Sequence, residues 1–288
     1  MLPAAAAPSP RRRHPPLRRH GLGRRRGGLR CGPAMTAGPA SIVLAPEDHA
    51  VLGEAQFGTP GLVAIESIGP FTRVRACGPL VTVHDSIIEA GLGIGHHPHR
   101  HHERLFYLER GTFDHDDALN RIAGHVPEGA LARFTEGRRG MIHQEWNHGE
   151  VDAEIYILVA TTSPIPEQTS FEVLRREDMP VYSEGSGVVT REMVGPLSPL
   201  PVHCDVRRFT DTALEPGADL NWAIGPGEGG LLSVREGQAD LDGTPLGRRS
   251  TALLPPAEAS RSLRIGSVAG ARIIRAVFGL GYGLVTAD

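Results

Sequence analysis

The sequence predicts an all-β protein in two halves, and three observations carry that reading. Short apolar runs rich in Val, Ile and aromatic residues recur from about residue 60, with Gly and Pro turns roughly every ten residues, as in a sandwich or barrel. Long helical periodicity is absent. A second β-rich series begins near Val202 and echoes the first in wording. Ile88-Glu89-Ala90-Gly91 in one half corresponds to Leu214-Glu215-Pro216-Gly217 in the other, which suggests a duplicated domain.

Residues 1–40 are mostly Ala, Pro, Gly and Arg, with almost nothing to bury. Such a segment cannot repay its ordering entropy, so a disordered tail is expected. Met35 opens MTAGPASIVLAP, which reads as a natural start, and an early-called translation start is favoured over a basic arm for nucleic acid or membrane. The apolar core of a secretory signal is missing. The first half, residues 41–172, holds apolar runs at 62–66, 80–88, 105–108, 131–134 and 154–160. Residues 171–180 are charged, end in Pro and read as the link between the halves. The second half, residues 173–288, has runs at 204–209, 231–234, 238–241, 250–254, 262–265 and 272–278. Its Gly-rich stretch 225–230 has no GK[ST] ending and no strand-to-helix setting, so it reads as a hairpin turn rather than a phosphate loop.

Composition excludes several function classes. All 30 basic residues are Arg, more simply a codon effect of a GC-rich genome than a demand for guanidinium chemistry. Nine of them lie in residues 1–34, leaving 21 against 33 acids and a net charge of −12 on the remainder. An acidic body argues against a nucleic-acid groove on the folded part. No run of eighteen apolar residues exists, so no membrane span is indicated. Cys31, Cys77 and Cys204 are odd in number and far apart, which favours neither a disulfide framework nor a Cys zinc site and fits a reducing cytoplasm.

The chemistry concentrates at residues 95–103, GHHPHRHHE. Five of the fourteen histidines fall within 96–102, and His143 lies further on in GMIHQEWN with Glu145 two positions later. Side chains at i and i+2 share one side of a strand, so His97 and His99 converge on one ion, and His143 and Glu145 on a second strand supply the opposite half. Three neutral imidazoles and one carboxylate with open positions form a catalytic type of divalent metal site. His101 shares the parity of His97 and His99 and is the spare candidate. His96 and His102 read as exposed or pocket-lining, and His115 and His125, near expected turns, as surface residues. Arg100 is either a solvated Arg or a counter-charge to Glu103 or an anionic substrate. Trp146 and Asn147 shape a pocket or belong to the core. The second half has no histidine after His203, and where the first half has its motif it has only the Asp219-Leu220-Asn221-Trp222 region. A structural role is expected for it.

Two stretches carry a family resemblance. Gly91-x5-His97-x-His99-x3-Glu103 followed by Gly111 looks like the first cupin motif, and Gly140-x2-His143-x3-Asn147 like the tail of the second. HPHRHHERLFYLERG at 97–111 and GRRGMIHQE at 137–145 resemble the pirin family of two-cupin proteins, whose patterns are close to HPHRGFETVTYxLEG and GxGIxHSE. The departures are His101-His102 in place of Gly-Phe, an extra residue at Arg138-Arg139, a reduced aromatic lead-in and the absence of a C-terminal His-Gly-Pro-Phe-type segment.

The resemblance implies two cupin-type double-stranded β-helix barrels, a bicupin, with the metal in the first and none in the second. It implies His97, His99, His143 and Glu145 as ligands of a metal, usually iron. Affinity order favours Cu, Ni or Zn at such a site, while cellular supply often installs Fe or Mn. In other cupins the residue at the place of Glu103 is the ligand, so Glu103 stands as fallback ligand or as an acceptor orienting a ligand imidazole. The resemblance further implies quercetin 2,3-dioxygenase activity: a flavonol or similar enolisable phenolic is opened by O2 to a depside and carbon monoxide, with Glu145 or Glu103 accepting the hydroxyl proton. The alternative it implies is a metal- or redox-sensing regulatory protein that binds transcription factors or metabolic enzymes, for which an acidic body suits a basic partner.

Overall fold

The structure, a computed structural model, describes residues 41–287. The expected tail over 1–40, the start at Met35 and Cys31 lie outside the described residues. Within them the regular structure is almost entirely strand: one four-residue α-helix, Glu54–Phe57, and two 3-10 turns are its helical elements. The runs at 80–88, 131–134 and 154–160 become strands Leu80–Ile88, Leu131–Thr135 and Ala153–Thr161.

Each half is a barrel of two facing antiparallel sheets. In the first, the large sheet runs Ser170–Leu174, Leu131–Thr135, His102–Arg110, Ala153–Thr161, Leu80–Ile88, Leu62–Ile68 and Ala50–Leu52. Facing it are Gly93–His99, Met141–Trp146, Phe113–Asp117 and Ile122–Val126. The second barrel repeats the plan with a seven-stranded and a four-stranded sheet. Two expectations change. Residues 171–180 are not a bare link, because Ser170–Leu174 pairs in register with Leu131–Thr135 and so crosses the expected 172/173 division. Residues 225–230 do not close a hairpin either. Asp219–Ile224 and Glu228–Gly237 lie in different sheets, and the turn rounds a barrel corner. Gly230 is needed there, since a Cβ on it would meet the Trp222 ring at 2.7 Å.

The central strands of the large sheet of the first barrel are covered on both faces, which explains their near-continuous apolar runs. Along His102–Arg110, Phe106 and Leu108 point into the first barrel's own core with Phe113 and Phe134. Leu105 and Tyr107 point the other way, into a single cluster shared with Phe209, Leu231, Ile274 and Phe278 of the second barrel. The second barrel's interior is filled by Leu220, Trp222, Ile224 and Leu232, where the first barrel carries its histidines.

Strand pairing ties the barrels at both ends. Ile42–Leu44 pairs with Thr251–Leu253 of the second barrel, and Leu284–Thr286 with Val74–Cys77 of the first. Polar contacts add to this. Tyr107 Oη donates to Asp211 at 2.6 Å, and Arg272 spans Asp211 at 2.9 Å and Glu109 at 2.8 Å. Arg235 binds Asp85 at 2.6 Å and lies over the Tyr156 ring.

Glu103 belongs to this interface. Its carboxylate accepts the backbone N–H groups of His203 and Cys204, both at 2.8 Å, His203 Nδ1 at 2.9 Å and Thr135 Oγ1 at 3.0 Å. Burial pushes its carboxyl up, but these donors outweigh it and hold it below the ordinary value. Glu103→Ala strands the part-buried N–H of His203 and the buried N–H of Cys204, so a loss of about 3 kcal/mol in urea unfolding is expected. An unchanged midpoint would contradict this structural role.

Candidate metal centre

The site is assembled by three neighbouring strands of the small sheet. Met141–Trp146 lies between Gly93–His99 and Phe113–Asp117, with His143 opposite His97 on one side and Glu145 opposite His115 on the other. A register shift between His143 and Glu145 seats Gly93 against Trp146. A Cβ on Gly93 would meet the Glu145 carbonyl oxygen at 2.4 Å, so only glycine allows this approach.

His97, His99 and His143 converge. Their ring centroids are 4.7, 4.5 and 4.9 Å apart, pair by pair. Glu145 closes the group, with Oε1 3.3 Å from His143 Nδ1 and Oε2 3.7 Å from His97 Nε2. His97 Nδ1 donates to the Gly95 carbonyl at 2.8 Å, which leaves its Nε2 lone pair toward the cluster. His143 Nε2 is buried without a partner, a cost that a bound cation would relieve. One ligand atom from each of His97, His99 and His143 lies within 4.8 Å of the others, and His115, His143 and Glu145 form a second such group. The imidazoles are held neutral, as ligation requires. Burial lowers His97, and burial with the Arg104 charge lowers His99 to about 2. Burial with the neighbouring His97 and His99 drives His143 far below its ordinary value. Burial pushes Glu145 up to about 7. These side chains fit a divalent metal ion.

The other expected residues fall elsewhere. Glu103 does not join the cluster: it sits one position from Arg104 on a strand where alternate residues face opposite sides. His101 has φ +77° in the turn after Gly93–His99, so the strand parity that made it a spare ligand ends before it, and it is exposed. His96, Arg100 and His125 are exposed. Asn147 is structural, its amide donating to the carbonyls of Ile88 and Val151. His115 reverses its expected surface placement. It is buried, stacks on Phe171 at 4.4 Å and puts Nδ1 3.2 Å from His143 Nδ1. The alternation Phe113-x-His115-x-Asp117, buried at every second residue, was the available signal.

Beside the cluster opens a cavity of about 390 Å³, walled by Phe57, Leu62, Ile94, Phe106, Ile155 and Ile157. His97, His99 and Glu145 line it, as do His84, Ser86 and Arg104, which the sequence reading passed over.

A chain of two double-sheet barrels with a histidine–carboxylate cluster in the first is a bicupin. Residues 54–158 match the family model described as Pirin. A quercetin 2,3-dioxygenase of Escherichia coli (strain K12) is 30% identical over 123 residues, 40% of this chain and 52% of that protein. The chain thus spans about half the length of this relative. A pirin-like protein of Solanum lycopersicum is 24% identical over 196 residues, 65% of each chain. Among solved structures, YhhW of Escherichia coli superposes with a TM-score of 0.71 at 17% identity, covering 86% of this chain and all of YhhW. A nickel(II) complex of the same bacterial pirin gives a TM-score of 0.69 at 18% identity, with 84% and 100% covered.

The protonation pattern sets a pH dependence for chelator-treated protein. Burial lowers His84 and His115 to about 4, while in the unfolded chain they titrate near 6.5. Below pH 6.5 the unfolded state therefore binds protons that the folded state refuses, and stability falls as pH drops toward 4. A melting temperature at least about 5 °C lower at pH 5 than at pH 7.5 is expected in calorimetry. A flat profile would show that these imidazoles are not kept neutral by folding.

Proposed function

We propose that the chain is a metal-dependent dioxygenase of the quercetin 2,3-dioxygenase type, acting on a flavonol or similar enolisable phenolic. The observation that carries this reading is the convergence of His97, His99 and His143 with Glu145 at one end of a largely apolar cavity of ring-accepting size. The names of the relatives support it, since one is a quercetin 2,3-dioxygenase and another bacterial pirin binds nickel(II).

His97, His99, His143 and Glu145 would hold the ion, for which iron is proposed. When bound, the ion supplies Lewis acidity toward a hydroxyl oxygen, with open positions for ligands. The rest falls to the protein. Phe57, Leu62, Phe106 and the isoleucines exclude water and hold an aromatic ring flat against the wall. Glu145, the carboxylate lining the cavity, accepts the substrate hydroxyl proton. Glu103 is assigned no part, because its oxygens are committed to His203, Cys204 and Thr135. The overall change converts one flavonol and one O2 to a depside and carbon monoxide.

The test is metal analysis of the purified protein with O2 uptake on flavonols. Roughly one equivalent of transition metal is expected, lost in His97→Ala and His143→Ala. Glu145→Gln is expected to lower O2 uptake at least about 100-fold. Protein with no metal, and no uptake after reconstitution, would sink the oxygenase reading and leave a protein-binding double barrel.

A further inference from the structure

We infer that Arg104 makes this cavity a receptor for aromatic anions: the ligand carries an ionised acidic oxygen, carboxylate or enolate, on an apolar ring, and the Arg104 guanidinium reads that oxygen. The inference deepens the reading of the cavity as a substrate site and rests on it.

Arg104 occupies a position where the pirin pattern has Thr, and it is a built feature. Its strand, His102–Arg110, turns even-numbered residues into the first barrel, so the guanidinium enters the cavity beside Phe106. Glu136 anchors it from behind. The Arg104 Nε donates to Glu136 Oε1 at 2.6 Å, and Glu136, with no exposed surface, also accepts the His102 backbone N–H at 2.8 Å. Burial pushes the Glu136 carboxyl up, but His102 and Arg104 outweigh it and hold it at about 2, so the anchor stays ionised.

A guanidinium has five N–H donors and no acceptor. In Arg104 one goes to Glu136, and Nη2 gives one to His99 Nδ1 at 2.6 Å. Three remain, on a side chain 15% exposed that lines the cavity. An ion held through His99 Nε2 would put that ring's proton on Nδ1, where Arg104 now donates, and would free a fourth.

The field in the cavity agrees. Among its lining residues, Arg104 is the one permanent cation, and its charge lowers His84, His97, His99, His143 and Glu145 alike. A second polar handle stands nearby: His84, on Leu80–Ile88, is bonded through Nδ1 to Ser86 Oγ at 3.1 Å. Apolar walls carry the ring, and a forked donor pairs with a two-oxygen anion or an oxygen pair on adjacent carbons.

The test compares ligands of one shape and different acidity by titration calorimetry, on the protein as purified and after chelation. The probes are 2-naphthoate against 2-naphthamide, and a flavonol against its 3-O-methyl ether. The acidic member of each pair, 2-naphthoate or the flavonol, is expected to bind about tenfold or more tightly in the wild type, a charge-assisted bond replacing a neutral one. In Arg104→Met the preference is expected to fall within about twofold, with affinity for 2-naphthamide kept. Because Arg104→Met leaves Glu136 buried and unpaired, Arg104→Met/Glu136→Gln is the companion variant, with circular dichroism to confirm its fold. Equal affinities in the wild type, or a preference that survives in the double variant, would overturn the inference. Anion preference without O2 uptake would instead remove the oxygenase reading and leave the anion site standing. If only one pair discriminates, that pair says whether the acidic oxygen is a carboxylate or an enolate.

Discussion

Much of this structure depends on one constraint: the central strands of the large sheet of the first barrel are covered on both faces. Side chains alternate along a strand, so each of these strands serves two compartments at once. On His102–Arg110, Arg104 and Phe106 furnish a cavity, while Glu103, Leu105 and Tyr107 fasten the second barrel. Two adjacent charged residues, Glu103 and Arg104, therefore have unrelated duties. A one-residue slip would exchange them, placing a committed acceptor in the cavity and an unmatched guanidinium in the interface.

The same logic separates stability from chemistry in the polar inventory. Charges facing the second barrel are paired, as with Glu103, or held in networks such as Arg272 with Asp211 and Glu109, although Arg133 Nε and Arg235 Nη1 stay without a hydrogen-bond partner. Around the histidine cluster, polar groups are left open: His143 and His115 each keep a buried Nε2 without a partner. Buried orphans of this kind are costly, and at the histidine cluster a bound cation would complete them. The second barrel offers the contrast, with Leu220, Trp222 and Ile224 packed where the first barrel holds polar rings.

The pairing of His97 with His99, and of His143 with Glu145, was legible in the sequence because both are i, i+2 pairs on single strands, where period-two geometry is local. Which strands face one another is not local. His115 enters the cluster only because Phe113–Asp117 pairs with Met141–Trp146, and Arg104 and His84 reach the cavity from the opposite sheet. The same limit misplaced Glu103, whose partners His203 and Cys204 stand about a hundred residues away. His101 failed for a different reason: a positive φ ended the strand that its parity presupposed. The all-β class and the main strand positions needed only local pattern, and there the reading agreed closely with the structure.

The crossed strands give the duplication an asymmetric history. A simple tandem copy would yield two barrels, each closed by its own chain. Here Ile42–Leu44 completes the second barrel, and Leu284–Thr286 is added to the first. During synthesis the earliest of these strands must wait, unpaired, until residues 251–253 have left the ribosome. The first barrel in turn gains its added strand only when residues 284–286 have been made. The two halves are thus consecutive in the gene but reciprocal in assembly, and a chain cut between them would leave a gap in each.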